Sequence, residues 1–342
     1  MRLSFAGDAA DKAPCSPPFS HGNNNVSSSL ERKDTGESLR HAPSYLDLLS
    51  SGELERRVQA SKKFLAPCTV CPRNCGANRP GNQRGVCRAG RDVRIASYTL
   101  HHGEEPPVSG TRGSGTIFFA GCSLQCRFCQ NYPISQLNNG NDYTTDDLAG
   151  MMLELQSLGA HNINFVTPTH VVPHMLEAVL NAAHRGLRIP LVYNSSGYDS
   201  VAMLRLLDGV IDIYLPDIKY ASDKTAFRYS LVRDYVGVNR KALAEMYRQA
   251  GNLVLDSDGI AMRGLIVRHL ILPEDTAQTC ESMAFIAERL SPEVHVSLMN
   301  QYFPANKAHG FRELSRRITE DEYRYAMDCL EKNGLENGWI QE

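Results

Sequence analysis

The sequence predicts an α/β protein, a partial (β/α)6 barrel preceded by a cysteine-rich metal-binding extension. Three observations predict it. From residue 116 onward, short β-rich runs alternate regularly with helical ones, a pattern that implies parallel strands joined by right-handed crossovers. The units count to six, whereas a closed eight-unit barrel takes ~250 residues. Seven of the ten cysteines lie between Cys68 and Cys129, in one group ahead of the first strand and one directly after it. Tight clustering in a long chain reads as metal ligation rather than as the disulfide framework of a small secreted domain.

The elements follow in order. Residues 1–44 are poor in large apolar side chains, and the run HGNNNVSSSLERKDTGES has no usable period, so a disordered or loosely attached tail is expected. Residues 45–115 form the helical and cysteine-rich extension. Leu46, Leu49, Leu54, Val58 and Leu65 recur at helical spacing, giving one or two short helices. The stretch from 66 to 115, rich in Cys, Arg, Gly and Pro, is expected to be irregular and organised by metal. The barrel spans 116–300. TIFFA (116–120) is its first strand. A helix starts at Thr144, where Asp147 completes a capping-box pair, and stops at Gly159. Strands at 162–166, 191–193, 211–215, 265–272 and 294–299 alternate with helices at 171–184, 200–207, within 223–250, and at 275–290. Asp258–Gly259 reads as a hairpin turn. A helix from 319 to 332 dominates a C-terminal segment over 301–342.

Charge and composition exclude several classes. Lys and Arg number 36 against 38 Asp and Glu, a net charge of −2, so a polyelectrolyte is not the main ligand and no general nucleic-acid binding is expected. No apolar run reaches the ~18–20 residues of a membrane span. The opening MRLSFAGDAADKAP does not read as a secretory signal. The reading is a cytoplasmic metalloprotein.

In GCSLQCRFCQN, Cys122, Cys126 and Cys129 stand in C-x3-C-x2-C spacing at the carboxyl end of the first strand, where such folds place their sites. Three thiolates on a 4Fe-4S cluster leave one iron without a protein ligand, and an open coordination position is what chemistry needs. This motif in this place resembles the radical S-adenosylmethionine (SAM) superfamily. The resemblance implies that SAM chelates the open iron and that its reductive cleavage yields a 5′-deoxyadenosyl radical, which abstracts hydrogen from a substrate. It further implies a set of SAM-facing residues. Phe128 matches the aromatic that precedes the third cysteine. Asp217 and Lys219 of YLPDIKY look like the D-x-K of glycyl-radical activating enzymes. Asn194 and Ser195, with Ser196, match strand-end contacts, Arg268 matches an arginine that approaches SAM, and Asn300 and Gln301 border the adenine. The second strand departs from the pattern. In place of Gly-Gly-Glu it ends FVTPTH, and Thr167 and Thr169 are the candidates to replace that contact.

Cys68, Cys71, Cys75 and Cys87 form C-x2-C-x3-C-x11-C, four ligands for either zinc or a second iron–sulfur cluster. The arginines around them (73, 79, 84, 88, 91 and 94) either dock an acidic partner or solvate the surface, the latter favoured. From about residue 66 to the end, the chain is similar to PflX-type proteins, relatives of pyruvate formate-lyase activating enzyme, and more distantly to AmmeMemoRadiSam proteins. This implies flavodoxin or ferredoxin as external reductant and a glycyl-radical enzyme as partner. A small molecule or other macromolecule is the alternative substrate, and a non-catalytic zinc protein the remote one. His101, His102, Glu104 and Glu105 either face the substrate, with a histidine as possible metal ligand, or form a solvated loop. His170 and His269 are equally open. Cys280 and Cys329 are read as packing residues.

Overall fold

A computed structural model describes residues 42–341 of the chain; the tail expected over 1–44 falls, up to residue 41, outside the described residues. In chain order the elements are α1 (Tyr45–Ser50), α2 (Glu53–Lys62), β1 (Val93–His101), α3 (Pro106–Ser109), β2 (Ser114–Phe119), α4 (Tyr132–Ser135), β3 (Asn141–Tyr143) and α5 (Thr145–Ser157). Then come β4 (Ile163–Val166), α6 (Val172–His184), β5 (Leu191–Ser195), α7 (Val201–Leu206), β6 (Ile213–Pro216), α8 (Asp223–Ser230) and α9 (Tyr235–Ala250). The last are β7 (Val254–Leu255), β8 (Ala261–Leu270), α10 (Thr279–Arg289), β9 (His295–Met299), α11 (Glu320–Lys332) and β10 (Gly338–Gln341).

The strands join into one sheet in the order β10-β9-β8-β6-β5-β4-β2-β1-β3, with β7 as a hairpin partner of β8. From β2 to β10 every neighbour on this path is parallel, so successive crossovers march in one direction and all these carboxyl ends face the same way. The path ends at β10 and β3 without closing, as an open barrel requires. The strands read as continuous apolar runs because both faces are covered. Leu191 and Tyr193 pack with α5 and α6 in the large core. Val192, Ile213 and Leu215 point the other way and pack with Val108 of α3. Strand periodicity of two therefore sorts one buried strand between two cores.

Two local signals appear as expected. Asp147 donates its backbone N–H to Thr144 Oγ1 (3.1 Å) and its carboxylate accepts from the Thr144 N–H (2.9 Å), a closed capping box at the start of α5. The β7–β8 hairpin turns at Asp256–Gly259, closed by Gly259 N–H donating to the Asp256 carbonyl (3.1 Å).

Other parts differ from the sequence reading. The supposedly irregular 66–115 stretch contains β1, which pairs antiparallel with β2 and extends the sheet. Its outer half is exposed, so the apolar alternation that marks a strand fades after Ile95. The C-terminal segment carries β10 as well as a helix, added parallel to β9. Cys280 and Cys329 are not separate packing residues but a disulfide that joins α10 to α11, with Cα atoms 4.8 Å apart. Ser44 N–H (3.0 Å) and its hydroxyl (2.7 Å) both donate to buried Asp212, which also accepts from Leu191 N–H (2.9 Å). None of the helices among the described residues is long and apolar enough to cross a membrane.

His170, His174 and His269 are buried inside this frame, and burial pushes each down to about 4. His269 spans Ile218 O (2.7 Å) and Thr279 Oγ1 (3.1 Å), tying β8 to the end of β6 and to α10. An unfolded histidine protonates near 6.5. As pH falls from 6.5 towards 4, the unfolded chain gains protons that the folded chain refuses, so stability present above 6.5 is lost. Urea midpoints are expected to fall across this window. In a His269→Gln variant the pH slope should be shallower by up to about 1.4 kcal/mol per pH unit. Identical slopes would mean that the ring is charged in the folded protein.

Candidate active site

The carboxyl ends of the parallel strands surround a cavity of about 330 Å3. Its size is that of a small-molecule or cofactor site. The loop after β2 forms one wall with Cys122, Cys126 and Cys129. Gly121 lets the chain turn into this loop: its φ is +85°, and a Cβ there would lie 2.2 Å from the Cys87 carbonyl oxygen. The loop is pinned on several sides. Gln125 N–H and Arg127 N–H donate to Ser230 O (3.1 Å) and Tyr229 O (2.7 Å) at the end of α8. Gln136 and Asn306 amides donate to Cys126 O (2.7 and 3.1 Å). Ser230 Oγ donates to Cys126 Sγ at 3.0 Å, and Ser135 Oγ lies 3.1 Å from Cys129 Sγ. Burial raises the Cys122 thiol strongly and holds Cys126 up to about 11, Lys219 pulling the latter back. Such sulfurs stay protonated unless a metal replaces the proton.

The other strand ends complete the cavity. Thr167 after β4, Asn194 and Ser195 of β5, Asp217 and Lys219 after β6, Arg268 of β8, Met299 at the end of β9 and Gln301 after it all line it. Asp217 and Lys219 form an ion pair. Burial works against the Lys219 charge, but Asp217, Cys126 and Tyr235 raise its affinity for the proton above the usual lysine value. Arg268, 14% exposed, is the other buried cation on the cavity wall. It donates through Nε to Glu105 (2.7 Å), through Nη2 to Glu105 (2.9 Å) and Glu104, and through Nη1 to Asn194 Oδ1 (3.3 Å). Burial disfavours its charge, while Glu105 and Glu104 more than restore it.

The residues singled out from sequence therefore divide. The three cysteines, Thr167, Asn194, Ser195, Asp217, Lys219, Arg268 and Gln301 meet around one cavity. Phe128 does not line it; the ring is buried edge-on to Tyr302 at 5.9 Å and packs the loop from behind. Thr169 is buried too, and donates to Asp199 (2.6 Å). Asn300 faces a separate recess beside the start of α11. His269 and His170 are buried and bonded to backbone carbonyls, His170 to Ala120 O at 2.9 Å. His101 and Glu104 do line the cavity, Glu105 is fully buried, and His102 is exposed.

Two site elements escaped the sequence reading. One is Asp199, which accepts from Thr169 and Tyr193 through Oδ1 (2.6 and 2.8 Å) and from Ser195 through Oδ2 (2.6 Å). It ties the ends of β4 and β5 beneath the cavity floor. Burial raises its carboxyl, and these hydroxyl donors oppose the rise. The signal was present in YNSSGYD but had no partner to point to. The other is the Glu104–Glu105 pair as counter-ion to Arg268, more than 160 residues away in sequence.

A family model described as the radical SAM superfamily matches residues 116–286, half of the chain. The chain belongs to the radical SAM superfamily. Membership implies an enzyme with a 4Fe-4S cluster and SAM. Three thiols and a polar cavity on one loop side suit that pair of groups. As the side chains stand, no three His, Cys, Asp or Glu among the described residues converge on a single ion. A cubane does not need that convergence, since each thiolate takes a different iron. The chain is 30% identical over 301 residues to the uncharacterized protein MJ0674 of Methanocaldococcus jannaschii, covering 85% of this chain and 82% of that one. Among solved structures it is similar to methylornithine synthase (TM-score 0.45, 16% identity, 86% of this chain and 73% of the other). It is also similar to SuiB of Streptococcus suis, crystallised with the precursor peptide SuiA (TM-score 0.46, 13% identity). That match covers 65% of this chain and less than half, 46%, of SuiB.

Removing the buried cation tests the floor of the superfamily site. Arg268→Met strands two buried carboxylates and should cost about 3–5 kcal/mol in urea denaturation. Adding Glu104→Gln and Glu105→Gln should recover most of it. A loss below about 1 kcal/mol for the single variant would mean that water already neutralises the group.

Proposed function

We propose that the chain is a radical SAM enzyme that abstracts hydrogen from a glycyl residue of a partner protein, in the manner of glycyl-radical activating enzymes. The observation that carries the reading is the meeting of the three thiols with Asp217, Lys219, Asn194 and Arg268 around one cavity. Cys122, Cys126 and Cys129 would hold the cluster, and Asn194, Ser195, Lys219 and Thr167 would contact SAM. When bound, these groups supply a 5′-deoxyadenosyl radical by one-electron reductive cleavage of SAM. The electron comes from an external carrier of the flavodoxin or ferredoxin kind.

The chain's own residues bind and orient. Glu104, Glu105 and Asp217 outnumber Arg268 and Lys219 by one charge at this end of the barrel, which favours a ligand of net positive charge such as SAM with its sulfonium and ammonium groups. Asn194 accepts from Arg268, which fixes its carboxamide. Asp217 anchors Lys219 so that its charge has one location rather than a sweep of rotamers. The D-x-K pair supports the glycyl reading. Exposed Tyr132 and Phe303, close in sequence to lining residues Asn131 and Gln301, also support it as an apolar rim for a peptide segment.

After anaerobic reconstitution with iron and sulfide, reduced protein is expected to convert SAM to 5′-deoxyadenosine, and Ala at Cys122, Cys126 or Cys129 should abolish this. Turnover that survives all three replacements would sink the radical reading. With a glycyl-radical enzyme deuterated at its glycines, label should appear in the 5′-deoxyadenosine. Cleavage without label transfer would leave the chemistry and move the substrate to a small molecule or another macromolecule.

A further inference from the structure

The thiols of Cys68, Cys71, Cys75 and Cys87 line one small cavity, apart from the barrel cavity, together with Arg73, Arg79 and His170. Apolar burial does not explain why this segment is ordered. Between residues 66 and 92 its buried hydrophobic side chains are Val70, Ala77, Ala89 and three of the cysteines themselves. Turns present the sulfurs: Gly76 N–H donates to Cys68 O (3.0 Å), Asn74 N–H to Cys71 O (3.0 Å) and Arg88 N–H to Gly85 O (3.0 Å). A Cβ on residue 85 would sit 2.5 Å from Cys75 Sγ, so glycine there keeps that sulfur's place open.

The surrounding polar atoms point to an anionic donor set. Arg79 is 1% exposed; its Nε and Nη1 donate to Gly90 O (3.2 Å) and His170 O (2.6 Å), but its Nη2 has no acceptor. Arg73 Nη2 is also buried without a partner. Orphaned buried donors cost roughly 1–3 kcal/mol each, more when charged. Two such guanidinium groups bordering four thiols are explained at once by thiolate acceptors. The space enclosed is about 10 Å3. That is room for about one small sphere, the scale of a single ion. As the side chains stand, the four thiols do not converge on one point, and a bound ion has to draw them together; all four border the same cavity.

We propose that Cys68, Cys71, Cys75 and Cys87 bind one zinc ion as a tetrathiolate whose sulfurs accept N–H bonds from Arg73 and Arg79. Binding releases four thiol protons and leaves a dianionic centre, to which the Arg73 and Arg79 charges are complementary. The centre also braces the radical loop from behind. Arg73 Nε donates to Ser123 O (2.8 Å), and the Cys87 carbonyl lies against Gly121, the residue before Cys122.

The test uses the full chain carrying Cys122→Ala, Cys126→Ala and Cys129→Ala, so that its outcome does not depend on SAM cleavage. Purified protein should retain about one zinc per chain and no iron. Cobalt loaded in place of zinc should show thiolate-to-cobalt charge transfer and the visible bands of a tetrahedral site. A further Cys75→Ser change, at an exposed position, should weaken that charge transfer and lower zinc retention. Iron with labile sulfide at this site, no bound metal, or cobalt spectra without thiolate bands would each overturn the assignment.

Discussion

A guanidinium sunk beneath a cavity has to be neutralised where it stands, and much of this structure follows from how Arg268 is neutralised. A buried ion pair adds little net stability, because desolvation consumes most of the attraction, yet breaking one leaves an uncompensated charge. Arg268 therefore acts as a constraint rather than as glue. It requires Glu104 and Glu105 at one place, and so fixes the turn between β1 and α3 against the middle of the parallel sheet. The same group reaches Asn194 at the end of β5. Three segments distant in sequence are thereby held in register around one opening.

Other buried polar groups work alongside it. Asp199 gathers hydroxyls from the ends of β4 and β5, and Asp212 gathers the start of β5 and Ser44, just ahead of α1. Each satisfies donors that a parallel sheet leaves at its strand ends. The loop with the three thiols has a comparable footing, bonded to α8 on one side and to the four-cysteine segment on the other. A ligand-binding loop with this many backbone tethers is held close to one conformation before anything binds, which lowers the ordering cost on binding.

How much of this was legible in the sequence depended on range. Local rules found the capping box at Thr144, the turn near Gly259 and most of the alternating strands and helices, because each is written within a few residues. The thiol triad was legible for the same reason. β1 was not, because half of it is exposed and its alternation dissolves into Ala96, Ser97 and Tyr98. β10 is four residues long and has no pattern of its own. The pairing of Cys280 with Cys329 depends on how α10 packs against α11, and nothing in either helix announces the other. Phe128 and Thr169 stood at the right sequence positions, but their side chains turn away from the cavity into packing and into the Asp199 network. The acidic partners of Arg268 were visible as residues and invisible as partners, since a contact across 160 positions has no sequence spacing to read.

One consequence concerns what the family match does and does not enclose. The matched region runs from residue 116 to residue 286. His101 and Glu104, which line the cavity, precede it, and Met299 and Gln301 follow it. The region that the family model matches is thus smaller than the wall of the cavity, part of which is contributed by chain on either side of it. A chimera that exchanged only the matched core would leave these flanking wall residues with the host.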